Sequence, residues 1–592
     1  MLFVIVRSLA LVISFLGYCT LLKKKGIPTS FLPVLVLTGI GSILFVAGIL
    51  NFLPLATIAL FGGGIFLAVK EKFWQLRKHF SSHDLICLGI FFLISFLFAL
   101  RLHGEKPTHY DSFSHWLTVI RDVLNNGRFP NFQSELIQFQ GYPTGASGFA
   151  YYICKIIGLE TDAVIMFSHA VVIAASLCTL TAFVRKFDLW KGLILFVGGV
   201  YCLVASPIPD TALCEPLPDT LISVLSIAAL AIVVFYRSKP FTACWLSLAV
   251  QIYLVSVKNS GLIMILFNTA LVLFYLYQQS SGDKSLFRKS AVKAAAIHSG
   301  IPLLIFFLWN RHVAQVFSAG TLSKHSFSLD YYRGTVGAKS IGQLIEVLLI
   351  FLKRFFSWNE CWLFLIICIA LFGFVYLTGK KASGTPDKSV WLSFMGIVIS
   401  YALFMVGLCG MFLASMDYGE SLTLPGYDRY EKTVVIYLVG AIVIFALHAM
   451  DSIPAGKYQT SVKAVSLAAV CLILGTQASR ISALFIPTHL YENSTRCVLE
   501  EAKADYAIPE GAVCAIYGSE VTEDWGYHTY MGRYIFQTFD TEAFAPSAEN
   551  LPEFDTLTEK FDYLVVMDYD PSLEQYLTEN GLTPGQTVYH LS

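Results

Sequence analysis

The sequence predicts a polytopic α-helical membrane protein of about fourteen spans that carries a small extracytoplasmic α/β domain at its C-terminal end. Three observations predict it. The chain has 592 residues, of which 56% are hydrophobic and only 14% charged, and its mean hydropathy is +0.64; soluble domains are less apolar than this. Apolar runs of about 17 to 25 residues, enough to cross a hydrocarbon core ~30 Å thick, recur along most of the chain. The formal net charge of zero hides an asymmetry: most lysine and arginine precedes residue 487, and beyond it there are roughly five acids for each base. Nothing in this pattern calls for nucleic acid as a partner.

Spans are predicted at 1–22, 28–52, 54–71, 84–101, 162–184, 189–206, 217–236, 240–257, 260–278, 294–311, 361–378, 389–414, 432–450 and 461–484. The first is as long as the others and has no small-residue cleavage site, so it reads as a helix of the protein rather than a signal. If the spans alternate, Lys23 to Lys25, the stretch from Lys70 to Lys78, Arg185 with Lys186, Arg237 with Lys239, the cluster from Lys284 to Lys293, Lys380 with Lys381, and Lys457 with Lys463 share one side. Positive charge marks that side as cytoplasmic. The loops 102–159, 205–216, 312–360 and 415–431, the neighbourhood of Lys258 and everything after Ile486 then face outward. Segment 340–357 is apolar enough to span, but it holds Glu346, Lys353 and Arg354, so it is expected to lie on the outer surface as an amphipathic helix.

These boundaries divide the chain into an N-terminal three-helix extension (1–83), a transmembrane module (84–486) with a large external loop (102–160), and a soluble domain (487–592). In the last part, 512–518, 533–539 and 562–567 look like buried strands, and 572–580 looks like a helix ended by Gly581. Most of the thirteen cysteines lie in apolar spans and show no metal-type spacing. Cys497 and Cys514 lie in the polar domain, as a disulfide or as two free thiols.

Polar clusters mark the outward ends of the spans. The stretch THYDSFSHW (108–116) follows the span that ends near Leu100. Behind it Phe113, Trp116, Leu117, Ile120, Val123 and Leu124 fall at helical spacing, which predicts an amphipathic helix packed on the bilayer, with Asp111 as N-cap and a stop near Gly127 and Pro130. Asp111 and His115 lie one turn apart on one face. GYPTGASGFAYYI (141–153) predicts a Tyr-Pro turn before a second, aromatic surface helix. LCEPLPDTL (213–221) carries Glu215 and Asp219 between prolines, VSVKNSGLI (255–263) carries Lys258 and Asn259 at the junction of two spans, and 416–434 carries Asp417, Glu420, Asp428, Arg429 and Tyr430. Ionisable groups close to hydrocarbon are costly and therefore mark function.

Carboxylates and cations gathered on one membrane face suit glycosyl transfer from a lipid-linked phosphosugar. A carboxylate takes the proton of the acceptor hydroxyl as the new bond forms. Cations stabilise the departing phosphate. Each residue also has a bland role: Asp111 as N-cap, His109 and His115 as interfacial histidines, Glu215 and Asp219 as caps of the helix that starts near Pro216, Lys258 snorkelling to the interface, and Arg429 paired locally with Asp428 or Glu431.

In their order along the chain, HYDSFSHW, GYPTG, PLPD, VKNSG and YDRY resemble motifs of the GT-C superfamily of membrane glycosyltransferases, which includes protein O-mannosyltransferases and lipid A aminoarabinose transferases. The resemblance covers roughly residues 84 to 450. It implies an inverting transferase of the bacterial cell envelope that uses a polyprenyl-phosphate sugar and an extracytoplasmic acceptor. Asp111 would be the catalytic base; Lys258, Arg429, His115 and His109 would meet the donor phosphate; Glu215, Asp219, Tyr142, Asn259 and Tyr430 would meet acceptor or sugar. Some members use a divalent metal and many do not, so the resemblance leaves that cofactor open. The chain departs from the family pattern in having Asp111-Ser112 for an Asp-Glu pair, Tyr-Pro-Thr for Tyr-Pro-Pro, and three extra helices at the start.

Three other readings compete, of which a noncatalytic scaffold that displays the acidic C-terminal domain leaves the polar loop motifs unexplained. A transporter of lipid-linked glycans predicts internal repeats and charges at the bilayer midplane, whereas no clear repeat is found and the charges concentrate at helix ends. A polymerase or ligase with a diphosphate-linked donor predicts arginines in the large outer loops, where only Arg333 and Arg429 stand out.

Overall fold

The computed structural model describes residues 2–591 apart from 185, 206–212, 281, 318–328, 358–359, 384–387, 451–455, 488, 493, 519–520, 522–524 and 547–549. Parts of the loops 205–216 and 312–360, which are expected to face outward, Arg185, and Asn493 of an Asn-Ser-Thr sequence thus lie outside the described residues.

All fourteen predicted spans fall on helix. Among the described residues, eleven helices are long and apolar enough to cross a membrane, or twelve if the bent pair Tyr331–Gly337 and Ile341–Phe356 is one span. The other three predicted spans differ in form. Leu189–Val204 is apolar but has only 16 residues, and 361–378 lies within Glu360–Ser383, of which Ile369–Thr378 is a short apolar helix. The stretch 461–484 divides into Lys457–Thr476 and Ala478–Phe485. The break falls just after Gly475 and Thr476, two poor helix formers. The chain is a polytopic helical membrane protein with a small C-terminal sheet domain.

Of the first three spans the second is built into the core, while the first and third pair with each other and stay largely exposed. Thr29–Ile49 packs on Gly145–Ile157, Asp162–Cys178 and Pro240–Val257, and Leu2–Lys24 packs on Leu53–Lys70. The amphipathic segment 340–357 is a helix, Ile341–Phe356, closed at its start by a capping box between Ser340 and Gln343. Ile341, Ile345, Leu349 and Phe356 are exposed, while Glu346 accepts from the Tyr418 hydroxyl and Arg354 pairs with Asp428 at 2.5 Å. Glu346 and Arg354 thus find partners to one side, Val347 and Phe351 are buried against the protein, and the four exposed apolar side chains stay outside.

The predicted helix behind Asp111 forms as one wide π turn, Ser112–Trp116, running into Leu117–Asn126, and Gly127 ends it in the left-handed region at φ 64°. Two expectations are corrected here. The apolar stripe from Phe113 to Leu124 is buried by protein rather than bilayer, against Gly145–Ile157 and the C-terminal domain helix Tyr527–Phe536. Asp111 itself has helical backbone angles and makes no capping bond, because its carboxylate is taken by a distant arginine. The second surface helix, Gly145–Ile157, is likewise buried between spans, with Phe149, Tyr151 and Tyr152 inside.

The C-terminal domain holds a four-stranded sheet: β1 (Cys514–Tyr517), β2 (Glu542–Phe544), β3 (Tyr563–Val566) and β4 (Val588–His590), in the order β2-β1-β3-β4. β1 pairs in parallel with β2 and β3, and β4 runs antiparallel to β3. The strands expected at 512–518 and 562–567 are β1 and β3, and the helix Pro571–Glu579 precedes Gly581 at φ 76°. The expected strand at 533–539 is instead the end of the helix Tyr527–Phe536, and the neighbouring strand is β2. Buried His528, Met531, Gly532 and Ile535 recur at i, i+3, i+4 and i+7, the helical period. Cys497 and Cys514 are free and buried.

Candidate functional site

Four chain segments, far apart in sequence, bring their polar ends together. Asp111 stands just before the π turn, after residues 105–109, which have no helix or strand of their own. Asp219 stands in the first turn of Pro218–Phe235, which Pro218 starts at a position where a missing N–H costs nothing. Lys258 ends Pro240–Val257 with extended backbone, φ −160° and ψ 146°, before Asn259 and Ser260 turn the chain into Gly261–Gln279. Arg429 lies in the first turn of Tyr427–Met450.

Their side chains form one line of alternating charge. Arg429 Nη1 contacts Asp111 Oδ2, Arg429 Nε lies 3.4 Å from Asp219 Oδ2, and Lys258 Nζ donates to Asp219 Oδ1 at 2.8 Å. The Arg429 Nε contact is an ion pair without hydrogen-bond geometry, which leaves both atoms buried and without a hydrogen-bond partner. The line crosses an interior: Lys258 is 5% and Asp219 8% exposed. Burying Lys258 and Asp219 beside the half-buried Asp111 and Arg429 is tolerable only because two acids and two bases compensate one another. The Tyr430 ring flanks both cations, with Lys258 Nζ at 5.1 Å and Arg429 Cζ at 5.4 Å from its centre.

Neighbouring groups complete the site. The Asp111 N–H donates to His109 Nδ1 at 3.1 Å. The Tyr142 ring lies 5.2 Å from His115 and 5.4 Å from Trp116, and the Asn259 amide donates to the Gly141 carbonyl at 3.5 Å, as does Trp309 Nε1 at 3.2 Å. His115 is buried, and neither ring nitrogen has a hydrogen-bond partner among the described residues. Burial pushes it down to about 3, so it is a neutral imidazole. Burial likewise lowers His109. Burial opposes ionisation of Asp111, but the Arg429 charge outweighs it and holds the carboxyl below its ordinary value.

Glu215 takes a different place from the other predicted residues. It lies behind the loop, where one carboxylate oxygen accepts from the N–H groups of Thr108 (2.7 Å) and His109 (2.9 Å) and the other from the Ser112 hydroxyl (2.5 Å). Burial pushes it up to about 7 in spite of these three bonds. The local partners foreseen for Arg429 are engaged elsewhere: Asp428 with Arg354 and Glu431 with the Tyr401 hydroxyl. Sequence reasoning passed over Arg496, Tyr527 and Trp309, which also reach this region. Arg496 had one signal, as a rare base in an acidic domain.

Chemically, the set offers a carboxylate able to take a proton, two cations able to share a phosphate charge, and an aromatic and amide floor around Gly141. Among the described residues no group of three or more His, Cys, Asp or Glu is placed to hold a metal ion.

No protein-family model matches the chain, and no curated protein matches it. Among solved structures it is similar to that of ArnT from Cupriavidus metallidurans bound to undecaprenyl phosphate, with 11% sequence identity and a TM-score of 0.47 over 86% of this chain and 97% of that one.

Proposed function

We propose that this protein is an inverting glycosyltransferase of the GT-C type that moves a sugar from a polyprenyl-phosphate donor to an acceptor hydroxyl of a glycan, glycolipid or protein at the outer face of the cell membrane. The observation that carries this reading is the line Asp111–Arg429–Asp219–Lys258 at the ends of apolar helices. The donor phosphate is shared between Arg429 and Lys258, with His109 and His115 beside it. Asp219 keeps the two cations in place. The sugar lies toward Tyr142, Asn259 and Tyr430. Asp111 takes the acceptor proton as the acceptor oxygen bonds to the anomeric carbon from the side opposite the phosphate, which leaves with the bonding pair and inverts that centre. Asp111 is ionised at neutral pH because Arg429 lowers its pKa, so the base needs no prior deprotonation.

The test is transfer by the purified protein in nanodiscs, offered a panel of radiolabelled polyprenyl-phosphate sugars with membrane-extract acceptors. Asp111→Asn is expected to lower the rate by about 10²- to 10⁴-fold, the usual worth of a general base, with donor binding retained. An active Asp111→Asn protein moves the base to another carboxylate. Absence of transfer from every donor by the wild type overturns the reading.

A further inference from the structure

We infer that the C-terminal domain is part of the catalytic scaffold, with Arg496 and Tyr527 acting together with Glu215 as positioning residues that hold the backbone of residues 107–109 and thereby aim the Asp111 carboxylate. This inference rests on the proposed role of Asp111 as base.

Residues 105–109 have no helix or strand of their own, so their buried backbone groups must find partners elsewhere. Side chains from three remote segments supply them. The Arg496 guanidinium donates through Nη1 to the Pro107 carbonyl at 2.9 Å, the Tyr527 hydroxyl donates to the Thr108 carbonyl at 2.6 Å, and Glu215 accepts from the N–H groups of Thr108 and His109. Both faces of the stretch are therefore gripped, one by the soluble domain and one by the loop before Pro218–Phe235. Asp111 follows two residues later.

The grip is itself rigidly held. The Arg496 side chain is 3% exposed and pairs with Asp162 at 2.5 Å, at the start of a span, and with Glu500 at 2.9 Å on its own helix, Thr495–Asp505. Its guanidinium carbon lies 5.5 Å from the Phe113 ring centre and 5.7 Å from that of Tyr534. Around it the same two surfaces meet through the Tyr110 hydroxyl to the Trp525 carbonyl (3.1 Å), the Tyr530 hydroxyl to Gln138 (3.0 Å) and Arg121 to the Tyr534 carbonyl (3.2 Å). A planar guanidinium that bonds a carbonyl and two carboxylates at once fixes direction as well as distance, which an ammonium does not. Small displacements of a reacting group have large effects on rate, so a loosened loop should slow chemistry more than binding.

The test uses the full-length protein in nanodiscs. Arg496→Gln removes the guanidinium, and Tyr527→Phe removes one hydroxyl and keeps the ring, so that a folding failure in the first leaves the second to decide. In both, hydrogen–deuterium exchange of the 105–112 backbone is expected to rise and kcat to fall by about tenfold or more with the donor KM unchanged. The acid limb of the kcat profile is expected to move up toward the ordinary carboxylate value as Asp111 loosens from Arg429. Exchange at the wild-type level in both variants overturns the inference, as does faster exchange with unchanged kcat and acid limb. Because exchange is read without turnover, it reports the grip even if an active Asp111→Asn protein overturns the base assignment.

Discussion

Lys258, at the end of a membrane helix and 5% exposed, keeps its charge out of water only because Asp219 lies 2.8 Å away. Removing one partner of such a pair strands the other. Lys258→Met should therefore lower the unfolding free energy by about 3–5 kcal/mol, whereas Arg354→Met, which breaks a pair open to solvent, should cost about 0–1 kcal/mol. Thermal unfolding in detergent reads both, and equal losses would show that the interior is wetter than its burial indicates. Glu215 gives a second prediction, about pH. Its folded value of about 7 lies above the ordinary 4.5 of a glutamate, so the stability linked to its neutral form is fully present below pH 4.5 and is lost as pH rises through 7. Glu215→Gln, which can still accept from both N–H groups, should thus unfold at a higher temperature than wild type at pH 8 and show no such gain at pH 4. A gain of the same size at both values would trace the effect to packing. Asp111 runs the other way: its folded carboxyl lies below the ordinary value, so the stability from its pairing is present above that ordinary value and fades as pH falls through the lowered one. The residue types at these positions were readable in the chain, and nine of the ten named site residues line the ion pairs or their surroundings. The tenth, Glu215, binds backbone, and no local pattern distinguishes a carboxylate that meets a ligand from one that meets two N–H groups.

Between elements, Leu2–Lys24 and Leu53–Lys70 approach each other closely. A Cβ on Gly64 would meet Ser14 Oγ at 2.0 Å and the Ser14 carbonyl at 2.6 Å, and one on Gly17 would meet the Gly64 carbonyl at 2.1 Å. Ser14 and Tyr18 donate to the carbonyls of Phe61 and Leu60 across the same seam. Small residues serve membrane helices this way, since close backbone packing replaces the hydrophobic drive that lipid does not provide. Gly64→Leu should lower the thermal midpoint measurably, whereas Gly62→Leu, at a position with nothing within 4 Å, should leave it unchanged; a similar midpoint for both would argue against a packed seam. Element type was legible wherever the apolar pattern was long, as in the spans. It failed at 533–539, where the last turn of Tyr527–Phe536, seen without its first two turns, shows the aromatic and β-branched content of a strand. It failed also on what the stripe behind Asp111 covers, because an apolar face looks the same whether lipid or protein lies against it.

At the scale of the molecule, the soluble domain is joined to the membrane part by more than its linker. One side of it has its own core around Leu557, Leu564 and Leu573, while Met531, Tyr534 and Phe536 belong to the large core shared with the membrane helices. Ending the chain after Ile486 would uncover Phe113 and leave Asp162 without Arg496. The expected result is transfer at least about tenfold slower, with helical content retained by circular dichroism; wild-type transfer by that shortened chain would make the domain dispensable. The sequence by itself determined the membrane class, where along the chain the apolar helices lie, and which charged residues stand at their ends; it counted fourteen spans where eleven or twelve described helices are long and apolar enough to cross. These are local properties, since a span needs only its own twenty or so residues to be recognised. Only the tertiary structure decided which charges meet: Asp111 with Arg429, across 318 positions, instead of with its own helix, and Pro107 with Arg496, across 389. Such pairings follow from how helices pack and from the need of each buried charge or backbone group for a partner, and that need is met across the fold rather than along the chain.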